Sequence, residues 1–153
     1  MKLLKYFVIF LTINLSALAI GSWLMDNGPQ SNWYTTLNKA PWTPPGWFFG
    51  VAWTTIMICF SVYMAYLYKR VSTIYILSLF AVQSFLNVIW NYIFFAQHLV
   101  LVGLITLIAL TLVIVSFTLI YKKDMRLKTL LIIPYLIWIC VATSLNGYIL
   151  LNN

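Results

Sequence analysis

The sequence has few charged side chains, and acidic ones are almost absent. Only 7% of its 153 residues are charged, and Asp26 and Asp124 are the only acids, whereas soluble domains usually carry about 25% charged residues. Hydrophobic residues make up 63% of the chain. This composition excludes an ordinary soluble domain and is typical of an integral membrane protein.

The side chains that usually support catalysis or metal binding are also scarce. His98 is the only histidine, and Cys59 and Cys140 lie far apart in apolar runs, where thiols usually behave as small apolar groups. No set of ligands has the spacing of a metal site. There is no phosphate-binding glycine loop and no nucleophile paired with a histidine base. We therefore expect no metal, no disulfide framework, no required cofactor and no conventional hydrolysis or group transfer.

Long uncharged apolar runs dominate what is present. A spanning helix needs about 20 apolar residues, so the run from Val71 to Tyr121 is too long for one crossing and is divided near Gln97 and His98. Because hydrocarbon offers the backbone no hydrogen bonds, each span should be a helix. The sequence predicts an all-α membrane protein in which residues 1–153 form one five-helix transmembrane domain. The expected spans are about 6–25, 46–68, 71–96, 99–121 and 129–151.

The basic residues predict the orientation of the bundle. With five spans, Lys39 lies alone on one side and the other eight of the nine basic residues lie on the opposite side. The positive-inside rule then predicts a multi-pass plasma-membrane protein with a cytoplasmic N-terminus, and with the first loop and the C-terminus outside. Nothing resembles a basic nucleic-acid recognition patch. The eight basic residues are Lys2, Lys5, Lys69, Arg70, Lys122, Lys123, Arg126 and Lys128.

A signal peptide is an alternative interpretation of the N-terminus, since Lys2 and Lys5 precede an apolar core and a loose cleavage pattern at residues 17–19. The apolar run is long for a signal core, which favours a span. A transporter is a second alternative for the whole chain. The absence of charged residues within the spans and of an internal repeat counts against it.

Aromatic and amide side chains are concentrated where a ligand site could form. Residues 33–53 hold four of the seven tryptophans and three of the five prolines, next to a predicted span. Gln83, Asn87 and Asn91 recur at steps of four on one helical face, which suits either interhelical hydrogen bonds or a ligand pocket. Trp138, Ala142 and Asn146 repeat this spacing, so Ala142 marks either a close packing contact or a notch for a ligand.

Three segments together resemble the tryptophan-rich sensory protein family, also called translocator proteins or peripheral benzodiazepine receptors. Residues 33–45 read WYTTLNKAPWTPP and are followed by Trp53, residues 90–95 read WNYIFF, and residues 134–146 read PYLIWICVATSLN. The resemblance covers nearly the whole chain in order. Ala40 departs from it, since the family often has proline there.

The resemblance implies a five-helix bundle, often a homodimer, that binds porphyrins, haem-like tetrapyrroles and benzodiazepine-type drugs in a pocket under the first loop. It implies a receptor or sensor, and some members are linked to light-dependent breakdown of porphyrin, which would then be substrate as well as ligand. Trp33 and Trp138 are the candidate catalytic residues, because electron-rich indoles beside an excited porphyrin could pass an electron. The ligand-binding residues carried over are Trp33, Tyr34, Pro44, Trp53, Asn87, Trp90, Trp138 and Ala142.

Animal members carry a proposed cholesterol motif near the end of the fifth helix, and this chain has no basic residue after Tyr148. A looser match to such a pattern, Val62-x-x-x-Tyr66-x-x-Lys69, lies at the end of the second span, but short patterns of this kind are weak evidence. Because the motif at the end of the fifth helix is absent, we do not expect cholesterol transport.

Overall fold

A computed structural model describes all residues, 1–153, as an all-helical bundle. Five of its helices are long and apolar enough to cross a membrane. This confirms the predicted five-helix membrane fold, in which each helix satisfies its own backbone hydrogen bonds. The helices are α1 (Lys2–Leu24), α2 (Asn32–Thr36), α3 (Gly46–Arg70), α4 (Ile74–Asn91), α5 (Val100–Ile120), α6 (Lys122–Met125) and α7 (Ile133–Asn152).

Local sequence signals explain several helix boundaries. The hydroxyl of Thr73 accepts a hydrogen bond from the backbone N–H of Ile76 and so caps the start of α4. Pro45 directly precedes α3, where its missing N–H is harmless. Pro134, which falls inside the predicted fifth span of about 129–151, lies in the first turn of α7, after a 3₁₀ segment that covers Arg126–Ile132. Since the first-turn N–H groups have no intrahelical partner, the proline starts this helix and does not bend it.

A π-helical segment, Tyr92–Ala96, ends the third span. Its wider turn is visible in the bond from the N–H of Gln97 to the carbonyl of Tyr92, 3.0 Å. Phe94 and Phe95 are both buried in this segment. Such segments are frequent at functional sites.

The first loop packs alongside α7 and is hydrogen-bonded to it. Residues 37–45, called the strap here, are fastened to α7 at two points. The amide of Asn153 bonds both the N–H and the carbonyl of Asn38, at 2.8 and 3.2 Å, and the indole of Trp42 donates to Ser144, 3.2 Å. The first loop and the end of α7 therefore lie at the same end of the bundle, called the loop end.

The eight basic residues that the sequence grouped together lie at the opposite end, called the basic end. Helix α1 begins there, α3 ends there, and Arg70 pairs with Asp124 across 4.0 Å. Towards this end the core is tightly filled. The buried ring of Phe60 lies 6.1, 5.7 and 5.3 Å from the rings of Phe80, Phe117 and Tyr135, which come from three of the four other long helices, α4, α5 and α7.

One buried hydrogen bond joins α1 to α3 between the two ends. The amide nitrogen of Asn14 donates to the hydroxyl of Ser61, 2.8 Å, and that hydroxyl donates to the carbonyl of Met57. The carbonyl oxygen of Asn14 has no partner. The amide therefore depends on Ser61 for its only hydrogen bond.

We expect Ser61→Ala to lower the melting temperature of the detergent-solubilised protein, because the buried Asn14 amide is then wholly unpaired; the expected loss is about 1 kcal/mol. Ser116→Ala is the matched control. Ser116 also donates to the carbonyl four residues earlier, but it is only half-buried and accepts no side-chain bond. Equal effects of the two substitutions on the melting temperature would contradict this role of Ser61.

Candidate functional site

A cavity of about 460 Å³ opens near the loop end between α1, α3 and α4. The residues that line this cavity include Gly46 and Gly50 on α3, where an added Cβ would meet no atom within 4 Å. Gly46 and Gly50, which are spaced as a GxxxG pair, therefore border open space within this chain. The aromatic residues that line the cavity are Trp47, Phe49, Trp53, Trp90 and Phe95.

The polar lining of the cavity consists mainly of amides. It contains one carboxylate, that of Asp26, and no basic residue. Asp26 is exposed and follows α1 in a turn with a backbone φ of 53°. The polar lining residues are Ser22, Asp26, Asn27, Gln30, Asn87 and Asn91.

Asn87 is held by a hydrogen-bonded bridge between α4 and α7. Its amide nitrogen donates to the hydroxyl of Tyr135, 2.8 Å, and that hydroxyl donates to the side-chain carbonyl of Gln83, 3.0 Å. The amide nitrogen of Gln83 donates to Ser84, 2.7 Å. Because a phenol has one hydrogen, and Tyr135 gives it to Gln83, the phenol oxygen must accept from Asn87. The side-chain carbonyl oxygen of Asn87 has no hydrogen-bond partner in the protein and is free to accept a bond from a ligand in the cavity.

The sequence left two alternatives open for the amide face of α4, and the structure shows features of both. Gln83 and Asn87 make interhelical hydrogen bonds to Tyr135. Asn87 and Asn91 also line the cavity, and the side-chain amide of Asn91 donates to the backbone carbonyl of Asn87, 3.0 Å. The face therefore joins two helices and supplies polar groups to the cavity.

Tyr34 lies on the far side of Trp90 and Phe95, away from the open cavity. Its buried ring packs 5.3 Å from that of Phe95, and a small void of about 20 Å³ separates it from Ala142 and Asn146 on α7. Asn146 is buried there and neither of its amide atoms has a hydrogen-bond partner. Burial raises the pKa of the Tyr34 hydroxyl above its ordinary value, so the phenol remains neutral.

Lys39, the one basic residue of the first loop, binds the end of α2. Its ammonium donates to the carbonyls of Tyr34 and Thr35, 3.1 and 3.3 Å, and lies 5.0 Å from the centre of the Tyr34 ring. Cations are favoured at helix C-termini. The ammonium of Lys39 therefore stabilises the C-terminal end of α2 and also lies over the Tyr34 ring.

The two candidate catalytic tryptophans do not contact one another. The ring of Trp33 stacks on His98 at 4.1 Å and meets the edge of Phe94 at 5.5 Å. Trp138 is buried against Phe49, 5.5 Å, and borders a lateral groove of about 500 Å³ between α3 and α7.

Each of these tryptophans is nonetheless linked to the cavity through neighbouring rings. The ring of Trp138 lies 6.4 Å from that of Trp53, which lines the cavity. The ring of Phe94 touches that of Trp33 and stacks at 5.4 Å on Trp90, another lining residue.

The eight predicted ligand-binding residues are therefore divided among several positions. Trp53, Asn87 and Trp90 line the cavity. Tyr34 and Ala142 border the small void, which Trp90 also borders from its other side. Trp138 borders the lateral groove. Trp33 and Pro44 do not line the cavity.

Several lining residues were not among the predicted ones. The sequence did contain a signal for two of them. Asn91 continues the four-residue spacing of Gln83 and Asn87, and Phe95 belongs to the family-like segment at residues 90–95. Asp26 and Gln30 had none, because a polar residue in a loop gives no periodic pattern.

Comparison with known proteins agrees with this architecture. Residues 8–151 match the TspO/MBR family. The chain is 35% identical over 144 residues to the tryptophan-rich protein TspO of Archaeoglobus fulgidus, covering 91% of this chain and 93% of that protein. It is 35% identical over 122 residues to protein CrtK of Rhodobacter capsulatus, covering 74% of each.

A more distant relative is the translocator protein of Homo sapiens, which is 29% identical over 133 residues, or 83% of this chain and 78% of that protein. Since the family match extends over almost the entire five-helix bundle, the chain belongs to the TspO/MBR family.

Proposed function

We propose that this membrane protein is a receptor or sensor that binds a porphyrin or related tetrapyrrole in the cavity between α1, α3 and α4. The observation that carries the proposal is an aromatic cavity of about 460 Å³, within the range of about 300–1,000 Å³ typical of small-molecule sites. The lateral groove is as large, but its lining is almost wholly hydrophobic. It therefore lacks the polar groups that orient a ligand.

The chemistry of the cavity suits a flat, mainly apolar ring system with a hydrogen-bond donor. Trp47, Trp53 and Trp90 offer indole surface for stacking. The carbonyl oxygen of Asn87, fixed by Tyr135, offers an acceptor. A metal-free porphyrin has both features, since its central pyrrole N–H groups are donors. Benzodiazepine-type drugs, which are also aromatic and largely apolar, would compete for the same space.

The charges around the cavity favour one orientation of a porphyrin. Its propionate groups are anionic, and the only charged group in the cavity lining is the carboxylate of Asp26. Like charges in proximity are disfavoured. The apolar edge of the macrocycle therefore enters the cavity, and the propionates remain in water near the loop end.

A receptor fits the core better than a transporter does. Between the cavity and the basic end, the bundle is filled by Phe60, Tyr63 and Phe117, none of which has any exposed surface. A ligand crossing the bundle would have to displace these rings. We also propose that the basic end faces the cytoplasm, as the positive-inside rule requires of a plasma-membrane protein.

The proposal predicts saturable quenching of tryptophan fluorescence when protoporphyrin IX is added to the purified protein. We expect Tyr135→Phe to weaken binding about fivefold, because the Asn87 amide loses its partner and is no longer held in one orientation; one hydrogen bond contributes about 1 kcal/mol. The substitution keeps the ring and removes no tryptophan.

Tyr63→Phe is the matched control for this titration. Tyr63 is also a buried tyrosine, and its hydroxyl donates to the carbonyl of Phe117, 3.1 Å, away from the cavity. Its removal should leave porphyrin affinity unchanged. Non-saturable quenching would contradict the binding site, and equal affinities of the two variants would contradict the role of Asn87.

A second candidate function, light-dependent oxidative breakdown of bound porphyrin, is favoured by the ring contacts around the cavity. Trp53 and Trp90 line the cavity and lead through short ring contacts to Trp138 and Trp33. An excited porphyrin can accept an electron from an indole, and dissolved oxygen would be the oxidant. The protein then contributes position and electron donors to chemistry that belongs to the porphyrin.

For this second function we expect Trp138→Phe to slow the bleaching of porphyrin absorbance under illumination, since phenylalanine keeps the ring packing but is a poorer electron donor. Trp33→Phe should act in the same direction. Trp42→Phe, on the exposed strap, is the control and should bleach porphyrin at the parent rate. Bleaching no faster than in buffer, or parent rates in the Trp33 and Trp138 variants at equal occupancy, would contradict the enzymatic role.

A further inference from the structure

A separate groove of about 230 Å³ lies between α1 and α3 at the basic end. The contact between Asn14 and Ser61 divides it from the cavity. Its lining is wholly apolar and is formed by Leu3, Leu4, Phe7, Val62, Ala65 and Tyr66.

A lysine from a third element lies at the edge of this groove. The ammonium of Lys128, in the 3₁₀ segment before α7, lies 4.2 Å above the centre of the Tyr66 ring. This cation–π contact holds the charge beside the groove. Lys128 has no carboxylate partner, because the one salt bridge of the structure joins Arg70 to Asp124.

Two further lysines are close in sequence to residues that line the groove. Lys2 directly precedes Leu3, and Lys69 follows Tyr66 by three residues, which places it one turn further along the same side of α3. Both are exposed and neither is in a salt bridge. An apolar slot thus ends at three positive charges that no acid of the protein neutralises.

We propose that this groove binds an anionic phospholipid of the adjoining leaflet. One acyl chain lies along Phe7, Val62 and Tyr66, and the phosphate-bearing headgroup lies against Lys2, Lys69 and Lys128. Charge complementarity selects this occupant, since basic clusters at the membrane surface attract anionic lipids. A zwitterionic lipid would fill the slot but would gain little from the lysines.

The groove also contains the sequence pattern that resembled a sterol motif, Val62-x-x-x-Tyr66-x-x-Lys69. A sterol has a single hydroxyl group and leaves three ammonium groups without a counter-charge. The anionic lipid uses both the apolar residues and the lysine of this pattern, and sterol binding becomes an outcome of the test.

The test is native mass spectrometry of the purified full chain in a non-ionic detergent, with dioleoyl phosphatidylglycerol, dioleoyl phosphatidylcholine or cholesterol added in turn. We expect the first phosphatidylglycerol to bind about a hundredfold more tightly than phosphatidylcholine, since each of the three lysines near an anionic headgroup contributes about 1 kcal/mol, or roughly fivefold. The double variant Lys69→Ala, Lys128→Ala keeps one of these lysines and should reduce the preference to about fivefold.

Two further variants separate a defined site from general attraction. Lys122→Ala with Lys123→Ala removes the same charge from the same end, but neither ammonium lies over a groove residue as that of Lys128 lies over Tyr66, so the preference should persist. Val62→Phe fills the groove and should weaken binding of both phospholipids. Equal affinity for the two phospholipids, an equal loss in both double-lysine variants, or tighter binding of cholesterol than of phosphatidylglycerol would overturn the proposal. Protoporphyrin binding should be unchanged in all these variants.

Discussion

The bridge from Gln83 through Tyr135 to Asn87 is the interaction on which the geometry of the cavity depends. No span carries a charged residue in its interior, so amides and hydroxyls are the strongest polar groups available there. In hydrocarbon, such groups must find partners within the protein. The partners here come from two helices. Because the hydrogen bonds run from Asn87 to Tyr135 and from Tyr135 to Gln83, the side-chain carbonyl oxygen of Asn87 has no donor in the protein. The hydrogen bond that fixes α4 against α7 therefore also orients the Asn87 side chain that would contact a ligand.

The sequence carried enough information for the number and kind of helices, because length, hydropathy and basic residues depend on the membrane and not on tertiary contacts. Helical spacing also placed Gln83, Asn87 and Asn91 on one face. It could not identify Tyr135 as their partner, since periodicity shows which residues share a face but not which helix that face meets. The separation of Trp138 from the cavity has the same origin. Trp138 lies behind Trp53, and only packing determines which of two neighbouring rings is the inner one.

Lys39 and Pro134 show how local backbone geometry can change the meaning of a residue. Lys39 occupies a loop of aromatic residues, yet its ammonium is engaged by two carbonyls at the end of α2. Pro134 follows a 3₁₀ segment that composition alone does not reveal, so it stands in the first turn of a helix. The two ends of the bundle thus differ in chemistry. Rings and amides surround an open cavity at the loop end, while lysines and aliphatic residues form the surface at the basic end.

The most direct test of the central claim is an experimental structure of the protein with protoporphyrin IX bound. The account predicts that the macrocycle lies between α1, α3 and α4, against the indoles of Trp53 and Trp90, with the carbonyl oxygen of Asn87 facing its pyrrole nitrogens. A macrocycle bound only in the lateral groove beside Ile137 and Trp138, with the cavity unfilled, would contradict it.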